Sequence, residues 1–238
     1  MTGDRLYFRQ LLAGRDFAGD DPLARRMVNF VYLIGDRASG EAVAVDPAYA
    51  PGEVIDILEA DGMRLSGVLA THYHSDHVGG HLFGREVMGI AELLEQVEVP
   101  IHVHQHEVPW IERTTGVERH SLVAHTSDDV LQVGEIGIRL LHTPGHTPGS
   151  QCFLVDGRLV AGDTLFLQGC GRTDLPGSDP EAMYDSLVNR LARLPDDTVV
   201  YPGHLYSPDR SASLGETKRK NPVLAPRSTE EWLALFGG

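Results

Sequence analysis

Residues 71–77, Thr71-His72-Tyr73-His74-Ser75-Asp76-His77 (THYHSDH), place three histidines and an aspartate within seven positions. The stretch follows Leu65-Ser66-Gly67-Val68-Leu69-Ala70, a short and mostly apolar run that reads as a buried strand. A strand that delivers His72, His74, Asp76 and His77 at its carboxyl end gathers nitrogen and oxygen donors in one place. Those donor types suit borderline divalent metals. Taken alone, the same residues would also serve as a solvated, histidine-rich loop.

Around this stretch the chain alternates strands and helices. MVNFVYLIGD and EAVAVDP predict paired strands about a turn at Arg37 to Gly40, and a helix is expected from Pro51 to Ala60. Beyond the histidines come a helix near Ile90 to Glu98 and a strand in PIHVHQHEV, expected from its alternation. A second series runs through IGIRLLHTPGH, SQCFLVDG and RLVAGDTLF to a helix from Asp179 to Leu194, with DTVVYPGH as the last strand. Helices near Leu214 to Lys220 and from Ser228 or Thr229, a suitable N-cap, close the chain. No linker, low-complexity segment or repeat interrupts it, and 238 residues suit one domain spanning 1–238 with a sizeable core.

Three more strand ends carry the same donors. His146 follows a Pro-Gly turn in HTPGHTPGS, Asp163 stands in VAGDTLF, and His204 ends VVYPGH. A lone histidine after a turn is usually structural, and a lone aspartate is often a cap. Seven such donors, each at or just beyond a strand's carboxyl end, point to metal binding. Other partners are excluded on composition. A net charge of −14 does not suit a surface that tracks phosphates, so nucleic acid is not expected. The first twenty residues carry Asp and Arg throughout and do not read as a signal peptide. No run approaches the ~20 apolar residues of a membrane span. Cys152 and Cys170 form no CxxC pair, so a reducing, cytoplasmic setting is expected.

In order, the HxHxDH set (His72, His74, Asp76, His77), the PGHTPG histidine (His146), GDTLF (Asp163) and PGH (His204) resemble the metallo-β-lactamase superfamily in its glyoxalase II and persulfide dioxygenase branch. The resemblance runs from YLIGDRASGEAVAVDP to KRKNP, nearly the whole chain. It implies an α/β fold, a four-layer αββα sandwich of two mixed sheets flanked by helices, with the site at one edge. It also implies two divalent metal ions. His72, His74 and His146 would hold the first, Asp76, His77 and His204 the second, and Asp163 would bridge them, with Asp76 also cast as the catalytic carboxylate. Zinc is the expected metal, although the same donors suit iron and manganese. Two ions ~3.5–4 Å apart can share a water and lower its pKa towards ~7, and the resulting hydroxide attacks a carbonyl. Thr71 and Thr147 are expected to orient ligands, plain strand packing being the other reading of Thr71. No GxSxG signature offers a serine route.

For the substrate, GDTLFLQGCGRTD matches a segment shared by the thiol-substrate branches. Arg172 stands where glyoxalase II has a glutathione-binding lysine, Tyr206 follows PGH, and Lys218 opens KRKNP, which resembles the basic end of that pocket. These three are the expected substrate-binding residues, for a small-molecule thioester or thiol-derived substrate. The sequence departs from the pattern at Thr173-Asp174, where an aromatic is usual. Only 34 residues follow His204, too few for the usual glutathione-binding helical domain. A longer segment at about 82–130 is expected to act as a lid or pocket wall through Trp110 and Ile111. Packing against a second subunit is the competing account, which leaves a homodimer open. In the same segment His102, His104 and His106 alternate, so one strand face would carry all three. A third metal site is one reading and structural strand histidines are the other. Cys170, in a Gly-flanked turn, is expected to be structural.

The resulting expectation is a metal-dependent hydrolase that cleaves a thioester, as hydroxyacylglutathione hydrolases do, or a small ester. A thiolate leaves without a dedicated general acid, and none is evident. The alternative is a persulfide dioxygenase in which His72, His146 and Asp163 hold one Fe(II), a two-His one-carboxylate set. YFRQLL and GCGRTD resemble that family as well. A non-catalytic metal-stabilised scaffold would be expected to lack a ligand, and all seven are present.

Overall fold

The computed structural model describes residues 5–236, so residues 1–4 and 237–238 of the expected domain lie outside the described residues. The chain opens with β1 (Leu6–Leu12), α1 (Pro22–Met27), β2 (Phe30–Asp36), β3 (Glu41–Val45), α2 (Pro51–Ala60) and β4 (Arg64–Leu69). After α3 (Ser75–Val78) come a small hairpin of β5 (Gly80–Leu82) and β6 (Arg85–Val87), then α4 (Ile90–Leu94), β7 (Ile101–His104), α5 (Val108–Thr115) and β8 (Leu122–His125). These strands form a sheet in the order β1-β2-β3-β4-β7-β8, antiparallel through β3 and parallel beyond it.

The second sheet uses β9 (Val130–Val133), β10 (Ile136–His142), β11 (Gln151–Val155), β12 (Arg158–Gly162), β13 (Val199–Pro202) and β14 (Ala212–Ser213), in the order β14-β13-β12-β11-β10-β9. Only β12 and β13 run parallel. Between them α6 (Pro180–Tyr184) continues as a π-helical segment to Arg190 and a 3₁₀ turn to Arg193, and α7 (Leu214–Lys220) and α8 (Thr229–Phe236) follow β14.

Two faces of burial explain the apolar runs. Phe30, Tyr32 and Ile34 of β2 pack against Ile138, Leu140 and Phe153 of the other sheet. Val31 and Leu33 point the opposite way, onto a core that holds Val54 and Leu58 of α2 and Ile90 and Leu93 of α4. A strand covered on both sides reads as continuously apolar. A third cluster joins Leu159 and Ala161 of β12 to Met183 and Trp232. Helix, sheet, sheet and helix make the expected four layers.

Several expectations are corrected. The helix expected to reach Glu98 ends at Leu94, and β14 follows the strand expected to be last. The strand through PIHVHQHEV stops at His104, and Gln105 to Glu107 turn into α5, whose first turn carries Pro109. Proline suits that position because the amide it lacks has no helical partner there. His106 therefore leaves the strand face that holds His102 and His104. Ile111 is fully buried in the core and forms no cavity wall. Among elements not expected, β1 carries Arg9 and Gln10 mid-strand, which an edge strand tolerates. No helix among the described residues is long and apolar enough to cross a membrane.

Candidate metal centre

The THYHSDH stretch leaves β4 and is pinned to both sheets. The Ala70 amide donates to His102 O, and Gln151 of β11 donates its amide to Thr71 O and its side-chain nitrogen to Ala70 O. Four residues of α3 then place Asp76 and His77 inward. The other donors arrive from β10, β12 and β13 as their strands end. Two glycines make room for them. A Cβ at Gly171 would lie 2.8 Å from the His146 ring, and one at Gly203 would lie 2.3 Å from Asp163 Oδ1.

All seven expected ligands meet. His74 Nδ1 lies 3.1 Å from His72 Nε2 and 3.0 Å from His146 Nε2. His77 Nε2 lies 3.2 Å from His204 Nε2, and Asp76 Oδ2 lies 3.4 Å from the latter. Asp163 faces both sets. Its Oδ2 is 3.7 Å from His146 Nε2 and 3.4 Å from His204 Nε2, and its Oδ1 is 3.4 Å from His77 Nε2. That Oδ1 is buried and has no hydrogen-bond partner among the described residues. A buried carboxylate oxygen left so costs free energy unless something cationic meets it. The donor set therefore fits two divalent ions.

The outward nitrogens are tied down, which aims the inward ones. His146 Nδ1 donates to Arg172 O (2.8 Å) and His204 Nδ1 to Met27 O (2.8 Å), leaving each Nε2 as a lone pair facing in. His77 Nδ1 bonds Asp46 Oδ2 (2.8 Å). Asp46 also accepts from the Thr71 amide (2.7 Å) and hydroxyl (2.5 Å), and Thr71 Oγ1 is 2.9 Å from His72 Nδ1. Outer contacts of this kind orient metal-binding imidazoles. Thr71 thus touches a ligand as expected, whereas Thr147 does not and instead donates to Glu107 Oε1 (2.6 Å).

The electrostatics divide the site. Burial and the neighbouring imidazoles of His77, His74 and His146 hold His72 well below the ordinary histidine range. Burial, with His146 beside it, brings His74 down to about 4. Burial would lower His77 too, but the carboxylates of Asp163 and Asp76 overcome it and raise that imidazole to about 10. The first set therefore offers neutral lone pairs, while an ion at the second would have to displace protons.

A cavity of about 640 Å³ opens beside these residues. Tyr73, Leu82, Phe83, Phe166, Leu175 and Tyr206 give it apolar walls, and Tyr206 stacks on His204 at 4.6 Å. Arg172 borders it with its guanidinium on Asp174 (2.8 and 2.7 Å). Lys218 is not brought there. It pairs with Asp196 (2.7 Å) and does not line the cavity, so its expected substrate contact is absent. Trp110 stacks behind Tyr73 at 4.7 Å and supports the wall without forming it. Cys170 lines the cavity, but burial pushes its thiol up to about 12, which suits no nucleophile.

Sequence reasoning missed three residues around the centre. Asp46 is one. Asn29, whose Nδ2 donates to Asp76 Oδ2 (3.1 Å), is the second. Glu107 is the third, accepting from Thr147 and from the Gly149 amide (2.7 Å) in the loop that carries His146. Burial pushes its carboxyl up to about 7. Asp46 had a signal, since it ends an apolar strand as Asp163 does.

The sequence profile of the metallo-β-lactamase superfamily matches residues 24–204. A probable polyketide biosynthesis zinc-dependent hydrolase of Bacillus velezensis is 34% identical over 209 residues, 87% of this chain and 86% of that protein. The human mitochondrial persulfide dioxygenase is 30% identical over 239 residues, 96% of this chain and 86% of that one. A hydroxyacylglutathione hydrolase of Methylococcus capsulatus is 39% identical over 181 residues, and the match spans 63% of its length. Among solved structures, ETHE1 from Myxococcus xanthus superposes with a TM-score of 0.78 at 30% identity, covering 98% of this chain and 90% of that one.

Proposed function

Because the chain belongs to the metallo-β-lactamase superfamily, in the branch of the hydroxyacylglutathione hydrolases and the persulfide dioxygenases, we propose that it is a dinuclear metal hydrolase cleaving a thioester or small ester. The observation that carries this reading is the convergence of two three-residue ligand sets on Asp163, with one of its oxygens left bare. His72, His74 and His146 would hold one ion, Asp76, His77 and His204 the other, and Asp163 both. Zinc is the metal we favour, in line with the name of the Bacillus velezensis relative. Ions held there would supply Lewis acidity and acidify a water to near neutrality.

The chain's own residues do the rest. Met27 O and Arg172 O hold the histidine tautomers, Asn29 orients Asp76, and the apolar walls offer the acyl or thiol arm a surface to lie against. We read residues 1–238 as one domain in which the 82–130 segment contributes Leu82, Phe83 and Thr114 to the cavity. Two free thiols, Cys152 and Cys170, suit a reducing, cytoplasmic setting.

Arg172 is the only Lys or Arg bordering the cavity among the described residues, so it is the group to meet an anionic substrate arm, exchanging Asp174 for it. An exposed charge contact is screened by solvent and contributes modestly. Arg172→Ala should therefore raise KM for an acidic thioester about fivefold and leave metal content unchanged. An unchanged KM would assign Arg172 to the Asp174 pair alone.

Whole-chain likeness to a persulfide dioxygenase supports a second reading, in which His72, His146 and Asp163 hold a single Fe(II). Thioester hydrolysis under nitrogen, run beside oxygen uptake on glutathione persulfide with iron-loaded protein, separates the two. Hydrolysis should proceed without oxygen. Rapid oxygen uptake with negligible anaerobic hydrolysis would reverse the assignment.

A further inference from the structure

The stretch that carries His72 and His74 leaves one sheet and the loop that carries His146 leaves the other, so their separation must be fixed by a third segment. Glu107, in the turn between β7 and α5, stands where it can do so. It is 1% exposed, and a carboxylate is rarely buried without partners that replace its lost water. Its Oε1 accepts from the Thr147 hydroxyl (2.6 Å) and from the Gly149 amide (2.7 Å). We propose that Glu107 is a positioning residue for the first metal ion, setting His146 against His72 and His74. The inference rests on the ligand assignment of the proposed function.

On the His146 side the fit is close. Thr147 gives its hydroxyl hydrogen to Glu107, so the Ser150 hydroxyl, 2.7 Å away, donates to Thr147 Oγ1. The Thr147 amide in turn donates to Ser150 Oγ (3.1 Å). Residues 147–150 are thereby one hydrogen-bonded turn hung on the carboxylate. A Cβ at Gly149 would lie 2.6 Å from the Glu107 amide nitrogen and 2.7 Å from its Cγ. Only glycine lets the loop backbone come so near.

The other ligand stretch is held on both sides of Glu107. Before it, β7 accepts the Ala70 amide at His102 O (3.0 Å). One turn beyond it, Trp110 stacks on Tyr73, with centroids 4.7 Å apart and planes 21° from parallel. Tyr73 stands between His72 and His74. The segment from β7 to α5 therefore clamps the two ligand loops that make up the first set.

The hydrogen bonds of Glu107 reach no residue of the second set among the described residues, so its loss should weaken the first ion and spare the second. Its Oε2 is buried and has no hydrogen-bond partner among the described residues. Oε1 alone makes the tie, and a glutamine can reproduce it.

The test reads each ion by itself through zinc titration. Asp76→Ala with His204→Ala leaves the first set to bind, and His74→Ala with His146→Ala leaves the second. Adding Glu107→Ala should weaken zinc roughly tenfold in the first background and by less than about twofold in the second. Glu107→Gln should stay within about threefold of its parent in the first background. Thr147→Val keeps the side-chain shape and removes one bond, so it should weaken the first ion about threefold. That variant decides the matter if Glu107→Ala does not fold, and an unchanged affinity in it overturns the proposal. No weakening by Glu107→Ala in the first background, or equal weakening in both, overturns it as well. So does a Glu107→Gln loss as large as that of alanine, which would mean that the charge acts on the ion directly and not through Thr147 and Gly149. A first background that binds no zinc with Glu107 intact would remove the ligand assignment, and the proposal with it.

Discussion

Asp163→Ala is expected to lower kcat by roughly 10³-fold or more and to reduce the metal content of the centre from two ions towards one or none. The carboxylate faces both ligand sets, within 3.4 Å of His77 and His204 and 3.7 Å of His146. Ions held this way contribute several kcal/mol of transition-state stabilisation, and each 1.36 kcal/mol is tenfold in rate. Metal per chain, kcat and the thermal midpoint should be measured together. A variant that stays folded, keeps both ions and turns over normally would remove Asp163 from the bridge and the dinuclear mechanism with it.

Asp46→Ala is expected to weaken metal binding by about 10–100-fold, the usual cost of losing an outer partner of a metal-binding imidazole. It should also lower stability. Asp46 holds His77 Nδ1, the Thr71 amide and the Thr71 hydroxyl, all of them buried. Leaving a buried donor unsatisfied costs about 1–3 kcal/mol. Zinc competition against a chromophoric chelator measures the first effect and denaturant unfolding of the metal-free protein the second. If affinity held while stability fell, Asp46 would be a structural anchor with no part in aiming His77. The two readouts keep those roles apart.

The seven donors of the centre were legible because each is local to a strand end. An apolar run followed by His or Asp can be seen without knowing which strands become neighbours. The outer partners were not legible. Asn29 reaches Asp76 across 47 positions and Asp46 reaches His77 across 31, and a lone Asn or Asp after a turn reads as a cap. The alternation of His102, His104 and His106 misled for a definite reason. Period-2 spacing persists in the sequence after the strand has ended, and here the turn into α5 carries His106 off the face. His142, whose ring lies beside that of His106, stood in HTPGHTPGS only four residues before His146, on a strand that the sequence pairs with none of the three.

By itself the sequence determined the alternation of strands and helices and a set of seven donors, because hydrophobic periodicity and donor chemistry are written residue by residue, and the four layers followed from its resemblance to the superfamily. Only the tertiary structure decided that Lys218 turns to Asp196, that Arg172 borders the cavity, and that His104 stacks on His142. Those outcomes depend on which segments pack beside which. Burial also sets the proton affinities of the imidazoles, and no order of letters states how deeply a side chain is buried or which carboxylate it will face.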